Sequence, residues 1–217
     1  MNHLYDDSYF SLRNNNDKKR LKTFQIEKGL INKYTNSGFL LDVGCGTGEF
    51  IENLNWQGDV YGIEVNDNAI LKAKEKKIIF ADDVLNYREF FDIIIFRGTI
   101  QHVLNPFEYI ENSFKLLKKN GYLFFLSTPN SNSIYYKIWG DLPALDPERN
   151  YWVPSDISLI NVCQNTGFIL KQVEYNYFQS PYSRPLNDHL KFFLKILGIK
   201  THFPFWKNMM DLVFQKV

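Results

Sequence analysis

Three glycines at alternate positions, Gly44, Gly46 and Gly48, follow an apolar run that carries an acid, Leu40-Leu41-Asp42-Val43. Nothing else in the chain narrows the fold as much. Glycine accepts a positive φ and lets backbone approach a ligand with no Cβ in the way. A buried strand that turns through such a loop into a helix leaves a hollow at its carboxyl end, where open α/β sheets hold nucleotides. The spacing is G-x-G-x-G. Gly44 and Gly46 fit the dinucleotide pattern G-x-G-x-x-G, but Glu49 stands where the last glycine belongs, which counts against a pyrophosphate cradle.

The surrounding pattern repeats strand and helix. Phe39–Val43, Val60–Glu64, Ile78–Ala81, Phe91–Phe96, Tyr122–Ser127, Phe168–Tyr175 and Met209–Lys216 read as seven strands. Between them, helices are expected from about Asn16 to Tyr34, from the glycine loop to Leu54, from Asn66 or Asp67 to Lys76, from Asn105-Pro106 to Asn120-Gly121, and from Ser155 to Gly167. Strands alternating with helices imply a parallel sheet with right-handed crossovers. One domain over residues 1–217 is expected, with 1–35 as a helical cap and 131–154 and 176–207 as insertions.

Composition excludes several classes. Basic residues number 25 and acidic ones 24, so no global positive field draws the chain to nucleic acid. Two cysteines, Cys45 and Cys163, are too few for a disulfide framework or a cysteine zinc site. They fit a reducing cytoplasm, and no metal is expected. No apolar run approaches the roughly 18 residues of a membrane span, and Met1–Asp7 lacks the pattern of a secretory signal. Cys45 reads as a small filler of the glycine loop.

Five segments in order, LDVGCGTGEF, YGIEVND, FADDV, FDIIIFRGTIQHVLNP and LLKKNGYLFFLSTPN, resemble the motifs of the class I S-adenosylmethionine (SAM) methyltransferases of the small-molecule type, a group that includes ubiquinone-biosynthesis and sugar methyltransferases. The resemblance covers Phe39 to Asn130 firmly and Ser155 to Tyr175 more loosely. It implies a Rossmann-like sheet of seven mostly parallel strands, the last antiparallel, with helices on both faces. It also implies SAM as cofactor. Asp42 would stand near the methionine ammonium, with the backbone of Gly44, Cys45, Gly46 and Gly48 shaping the loop. Glu64, at the end of the second strand, would accept from the ribose hydroxyls, and Val65 would lie on the adenine face or pack in the core. Asp82 or Asp83 would read the adenine amine, with Val84 beside them. Arg97 would turn away from the sulfonium, toward the methionine carboxylate, an anionic acceptor or a surface ion pair. His102 is either a general base or a structural histidine; Gln101 replaces the carboxylate that would orient it. Tyr5, Tyr9 and Phe10 resemble a segment that folds over the cofactor, or else anchor the first helix.

The acceptor expected is a small molecule, first a sugar or glycan precursor such as a nucleotide sugar or lipid-linked glycan. Thr128, Asn130, Tyr135, Tyr136, Trp139, Arg149, Asn150, Tyr151 and Trp152 are the candidates to hold it. Apolar groups between lysines in residues 186–214 suit a homodimer contact, a core contact or a membrane surface. Two other readings stay open: a non-catalytic SAM-binding or interaction module, and a nicotinamide-dependent oxidoreductase.

Overall fold

The structure is a computed structural model that describes residues 17–217. The aromatic segment of Tyr5, Tyr9 and Phe10 therefore lies outside the described residues. Helix α1 spans Lys18–Ile31, capped by the Asp17 carboxylate, which accepts from the Lys19 N–H. Strand β1 is Leu40–Val43, and the glycine loop leads into α2, Glu49–Leu54. Strand β2 is Val60–Ile63, followed by α3, Asp67–Glu75, where the Asn66 side chain accepts from the Ala69 N–H. Strand β3 is Phe91–Arg97 and α4 is Pro106–Leu116. The long β4, Leu117–Pro129, precedes α5, Ile134–Trp139. Then come α6, Asp156–Thr166, β5, Phe168–Glu174, α7, Pro185–Ile196, and β6, Met209–Lys216.

The sheet order is β2-β1-β3-β4-β6-β5. The first four strands are parallel, and β6 runs antiparallel between β4 and β5. The chain leaves β1 toward β2 on one side and returns as β3 on the other. The carboxyl ends of β1 and β3 thus flank a topological switch point.

Two expectations need correcting. The expected third strand, Ile78–Ala81, is only a bridge: Ile79 lies parallel to Tyr61, donating its N–H to the Val60 carbonyl and accepting from Gly62. It is too short to extend the sheet to seven strands. Helix α4 ends at Leu116, not at Asn120-Gly121, because Leu117 turns extended, is fully buried and pairs with Phe91. Asn120 then takes a positive φ of 66° inside β4.

Side chains alternate across the strands, so each face has its own core. Leu41, Ile94, Phe96, Leu123, Phe125 and Phe214 face α4 and α6. Leu40, Ile93, Ile95, Phe124 and Val213 face α1, α2 and α3 through Phe24, Ile31, Phe50, Leu54 and Ala73. A smaller third core of Tyr135, Leu142 and Phe203, with Trp139 and Phe192, packs the two insertions together.

The loops that lead into β1 and β2 lie against each other: Ser37 bridges Gln57, and the Gly38 N–H donates to the Gln57 carbonyl at 2.9 Å. Gly58 has a φ of +138°, and a Cβ there would sit 2.3 Å from the Gly38 carbonyl oxygen. Both atoms are backbone, so neither can swing aside. Gly58→Ala should therefore cost about 1–3 kcal/mol in chemical denaturation; an unchanged midpoint would mean the two loops separate freely.

Candidate functional site

The site is assembled at the carboxyl ends of β1, β2 and β3. Gly44, Gly46 and Gly48 all have positive φ. At Gly44 the reason is visible: a Cβ would meet the Thr99 side chain at 2.4 Å. The loop thus lies flat against the turn after β3 and offers backbone to the hollow. Cys45 is buried, and its thiol is pushed up by burial, away from reactivity. Its Sγ packs against Gly62, where a Cβ would be 2.8 Å away. That is the filler role.

Asp42 is buried under this loop, and its Oδ1 has no partner among the described residues. Burial pushes its carboxyl up to about 7, with Arg97 opposing and Glu64 and Glu27 adding to the shift. A buried carboxylate with one oxygen unused fits a cationic group that arrives with a ligand. Glu64 is turned onto the backbone. One oxygen accepts from the Gly46 N–H at 2.9 Å, and the other from Val65 at 2.7 Å and Asn66 at 3.1 Å. It ties the glycine loop to the end of β2. A carboxylate has about four lone-pair sites, so one remains for a ligand hydroxyl. Val65 is 45% exposed, which rules out ordinary core packing. Asp82 and Asp83 are exposed on the loop after the Ile79 bridge, and Val84 is buried beneath them.

Arg97 is held by α1 and α2. Its Nε donates to Glu27 of α1 at 2.7 Å, and its guanidinium lies over Phe24 and Phe50, 4.5 and 5.2 Å from the ring centres. The pair is not on the surface, since Glu27 is 1% exposed. His102 has both ring nitrogens engaged. The Arg149 carbonyl, 2.9 Å from Nδ1, can only accept, so Nδ1 carries the proton. Nε2 then accepts from the Gln101 amide at 3.2 Å. This geometry ties the 149–152 loop to the turn after β3.

The acceptor candidates divide. Tyr135 is wholly buried and stacks edge-on against Trp139 and Phe203. The Asn130 carbonyl oxygen accepts from Asn132 and Asp156, organising the start of α6. Trp152 donates to the Ile100 carbonyl, Arg149 pairs with Asp146, and Tyr151 is exposed. Asn150 keeps both amide atoms buried, with no partner among the described residues.

A cavity of about 430 Å³ lies elsewhere, between α1, the carboxyl end of β4 and the start of β6. None of the nine acceptor candidates lines it. Glu27, Ser127, Asn176, Asn208 and Asp211 do. The Ser127 hydroxyl donates to Glu27 at 2.5 Å, and the Ser127 N–H donates to Asp211 at 2.7 Å. Sequence reading missed these residues. Two signals were available: Glu27 falls on the apolar side of α1 between Phe24 and Ile31, and Asp211 interrupts the apolar run of β6.

A family model described as a methyltransferase domain matches residues 17–173. The chain belongs to the methyltransferase-domain family. The methyltransferase fold extends across its length: a SAM-dependent methyltransferase from Archaeoglobus fulgidus superposes with a TM-score of 0.68 at 16% identity, covering 97% of this chain and 100% of that one. The [4+2]-cyclase SpnF superposes with a TM-score of 0.63 at 18% identity, covering 91% of this chain and 81% of that one. Among curated sequences, the ubiquinone biosynthesis O-methyltransferase of Nitrosomonas europaea is 30% identical over 46% of this chain and 48% of its own length. That of Pelagibacter ubique is 34% identical over 62% of this chain and 63% of its own. The chain spans about half the length of most curated relatives it matches. Class I SAM-dependent methyltransferases are thus its family, and SAM is their cofactor. No helix of the described residues is long and apolar enough to cross a membrane.

Proposed function

We propose that this methyltransferase-domain chain moves a methyl group from SAM to a hydroxyl oxygen of a small molecule. The observation that carries the reading is the buried Asp42, one oxygen unpartnered, under a loop that presses backbone toward the hollow. SAM, when bound, supplies a methyl on a positively charged sulfur. The chain's residues bind and orient it. Asp42 would face the ammonium, the remaining lone pair of Glu64 a ribose hydroxyl, the exposed Val65 the adenine face, and Asp82 or Asp83 the adenine amine. Cys45, Gly46, Gly48 and Val84 shape that hollow. An activated methyl needs chiefly alignment and exclusion of water, which suits a site where His102 is held by its neighbours.

Oxygen as the methylated atom is supported by relatives named as O-methyltransferases. A sugar or glycan precursor has less support, because Tyr135 and Trp139, two of the rings expected to hold it, are packed against each other. A second reading, a SAM-binding chain that transfers no methyl, is favoured by the engaged ring nitrogens of His102, and a cyclase shares the fold.

Calorimetric titration with SAM and with S-adenosylhomocysteine should show both binding. Glu64→Ala should weaken SAM by about 1–3 kcal/mol, through the ribose contact and through three backbone N–H groups left without their acceptor. Unchanged affinity in that variant would remove Glu64 from the site. Methyl turnover with any acceptor would exclude the second reading.

A further inference from the structure

The cavity between α1, β4 and β6 has the character of a site and no assigned use. Its 430 Å³ is within the range of small-molecule pockets, which are mostly apolar with a few placed polar groups. Ile26, Leu142, Pro143, Phe205, Met209 and Met210 supply apolar wall.

The polar floor is incomplete in a specific way. Asn208 is 4% exposed, and neither its Oδ1 nor its Nδ2 has a partner among the described residues. A buried amide left unsatisfied is destabilising, so its place on a cavity wall points to a partner that comes with a ligand. Asp211, beside it, accepts from the Ser127 N–H through one oxygen and from the Asn176 amide at 2.6 Å through the other. Each oxygen keeps a second lone pair. Ser127 holds a positive φ of 47° where β4 shifts register against β6. A non-glycine residue in that region is strained and persists where its surroundings fix it, commonly at ligand sites. Here Glu27 and Asp211 fix it.

We propose that this cavity seats a largely apolar molecule that presents a single hydroxyl to Asn208 and Asp211. A hydroxyl both donates and accepts: it can donate to the Asp211 carboxylate and accept from the Asn208 Nδ2. A hydroxyl in that place leaves the Asn208 Oδ1 unmatched and an ammonium the Nδ2; the neutral group costs less to bring against a mostly apolar wall. A sugar would set several hydroxyls against a wall whose accessible surface is mostly apolar. Calling the molecule the methyl acceptor rests on the methyl-transfer reading above; the binding site itself does not.

The test uses the full chain saturated with S-adenosylhomocysteine and three probes followed by calorimetry: 2-naphthol, 2-methylnaphthalene and glucose. 2-Naphthol should bind at least about tenfold more tightly than 2-methylnaphthalene, and glucose should not bind. Ala144→Trp, on an exposed stretch of the cavity wall, should abolish 2-naphthol binding and leave the S-adenosylhomocysteine titration unchanged. Asn208→Leu should bring 2-naphthol down to the level of 2-methylnaphthalene. If S-adenosylhomocysteine binds and 2-naphthol does not, or Ala144→Trp has no effect, the cavity proposal falls and the cofactor reading stands. If 2-naphthol binding responds to both substitutions while S-adenosylhomocysteine fails to bind, the cofactor reading falls and the cavity stands. Equal loss of both naphthalene probes in Asn208→Leu, or tighter binding of glucose, overturns the hydroxyl assignment.

Discussion

Arg97→Ala should unfold about 3–5 kcal/mol more easily than the parent chain, the cost of leaving a buried charge without its partner. Glu27 is 1% exposed and faces inward from α1. Its two oxygens are satisfied by the Arg97 Nε and the Ser127 hydroxyl. Without the guanidinium, one hydroxyl hydrogen bond is all that remains of these contacts to a buried negative charge. Part of the loss is also stacking, since the guanidinium covers Phe24 and Phe50, contacts worth about 0.5–2 kcal/mol. Lysine should rescue only a fraction, because an ammonium has no planar fork to lie between two rings while donating sideways. Arg97→Met combined with Glu27→Gln removes both charges and should recover much of the stability, a coupling that a double-mutant cycle reads directly. A loss under about 1 kcal/mol for Arg97→Ala in urea unfolding would mean water reaches Glu27 and the pair behaves as an exposed one.

This ion pair also marks where sequence reading stops. The pattern of strands and helices was legible because each obeys a local rule: apolar runs for strands covered on both faces, Asn66 and Ser155 as caps, Pro106 at a helix start. The hollow proposed for the cofactor could be located for a related reason, since Asp42, Gly44 and Glu64 each sit at or beside the end of a strand that the pattern already located. The two local errors come from tertiary structure overriding local signal. Asn120-Gly121 is a strong helix stop, yet Leu117 had already left the helix to pair with Phe91 in the sheet. Ile78–Ala81 has the composition of a strand but pairs through Ile79 alone. The cavity was not legible, because it joins α1 to β4 and β6 across 100 residues or nearly so, as in Ser127 to Glu27 and Ser127 to Asp211. Aromatic density pointed instead to residues 131–154, where Tyr135 and Trp139 serve to hold two insertions together. Density of rings signals packing as readily as binding; a lone acid on an apolar face was the better clue.

Asp42 should make stability and, on the proposed reading, cofactor affinity respond to pH in opposite directions. Its carboxyl is raised by burial from an unfolded value near 3.8 to about 7. Between those values the folded chain holds a proton that the unfolded chain has lost. The stability this contributes is therefore fully present below about pH 4 and is lost as pH rises through about 7. Between about pH 5 and pH 7 the fall from Asp42 alone is roughly 2 kcal/mol. Asp211 is raised for the same reason, burial first and the Glu27 charge second, and adds in the same direction. Asp146 and Asp156 are lowered, so their titration lies below this window. Unfolding free energies measured in urea at about pH 5 and pH 7 should thus decline for the parent chain, and Asp42→Asn should flatten the decline by roughly 2 kcal/mol. SAM binding should do the reverse. A positive charge beside Asp42 favours its ionised form, so binding expels a proton and tightens as pH rises from about 6 to 8. Calorimetry in buffers of different ionisation enthalpy reads that proton directly, and Asp42→Asn should abolish its release. A parent chain whose stability rises from pH 5 to pH 7 while Asp42→Asn behaves identically, with no proton released on binding, would show that Asp42 is already ionised and paired without the cofactor.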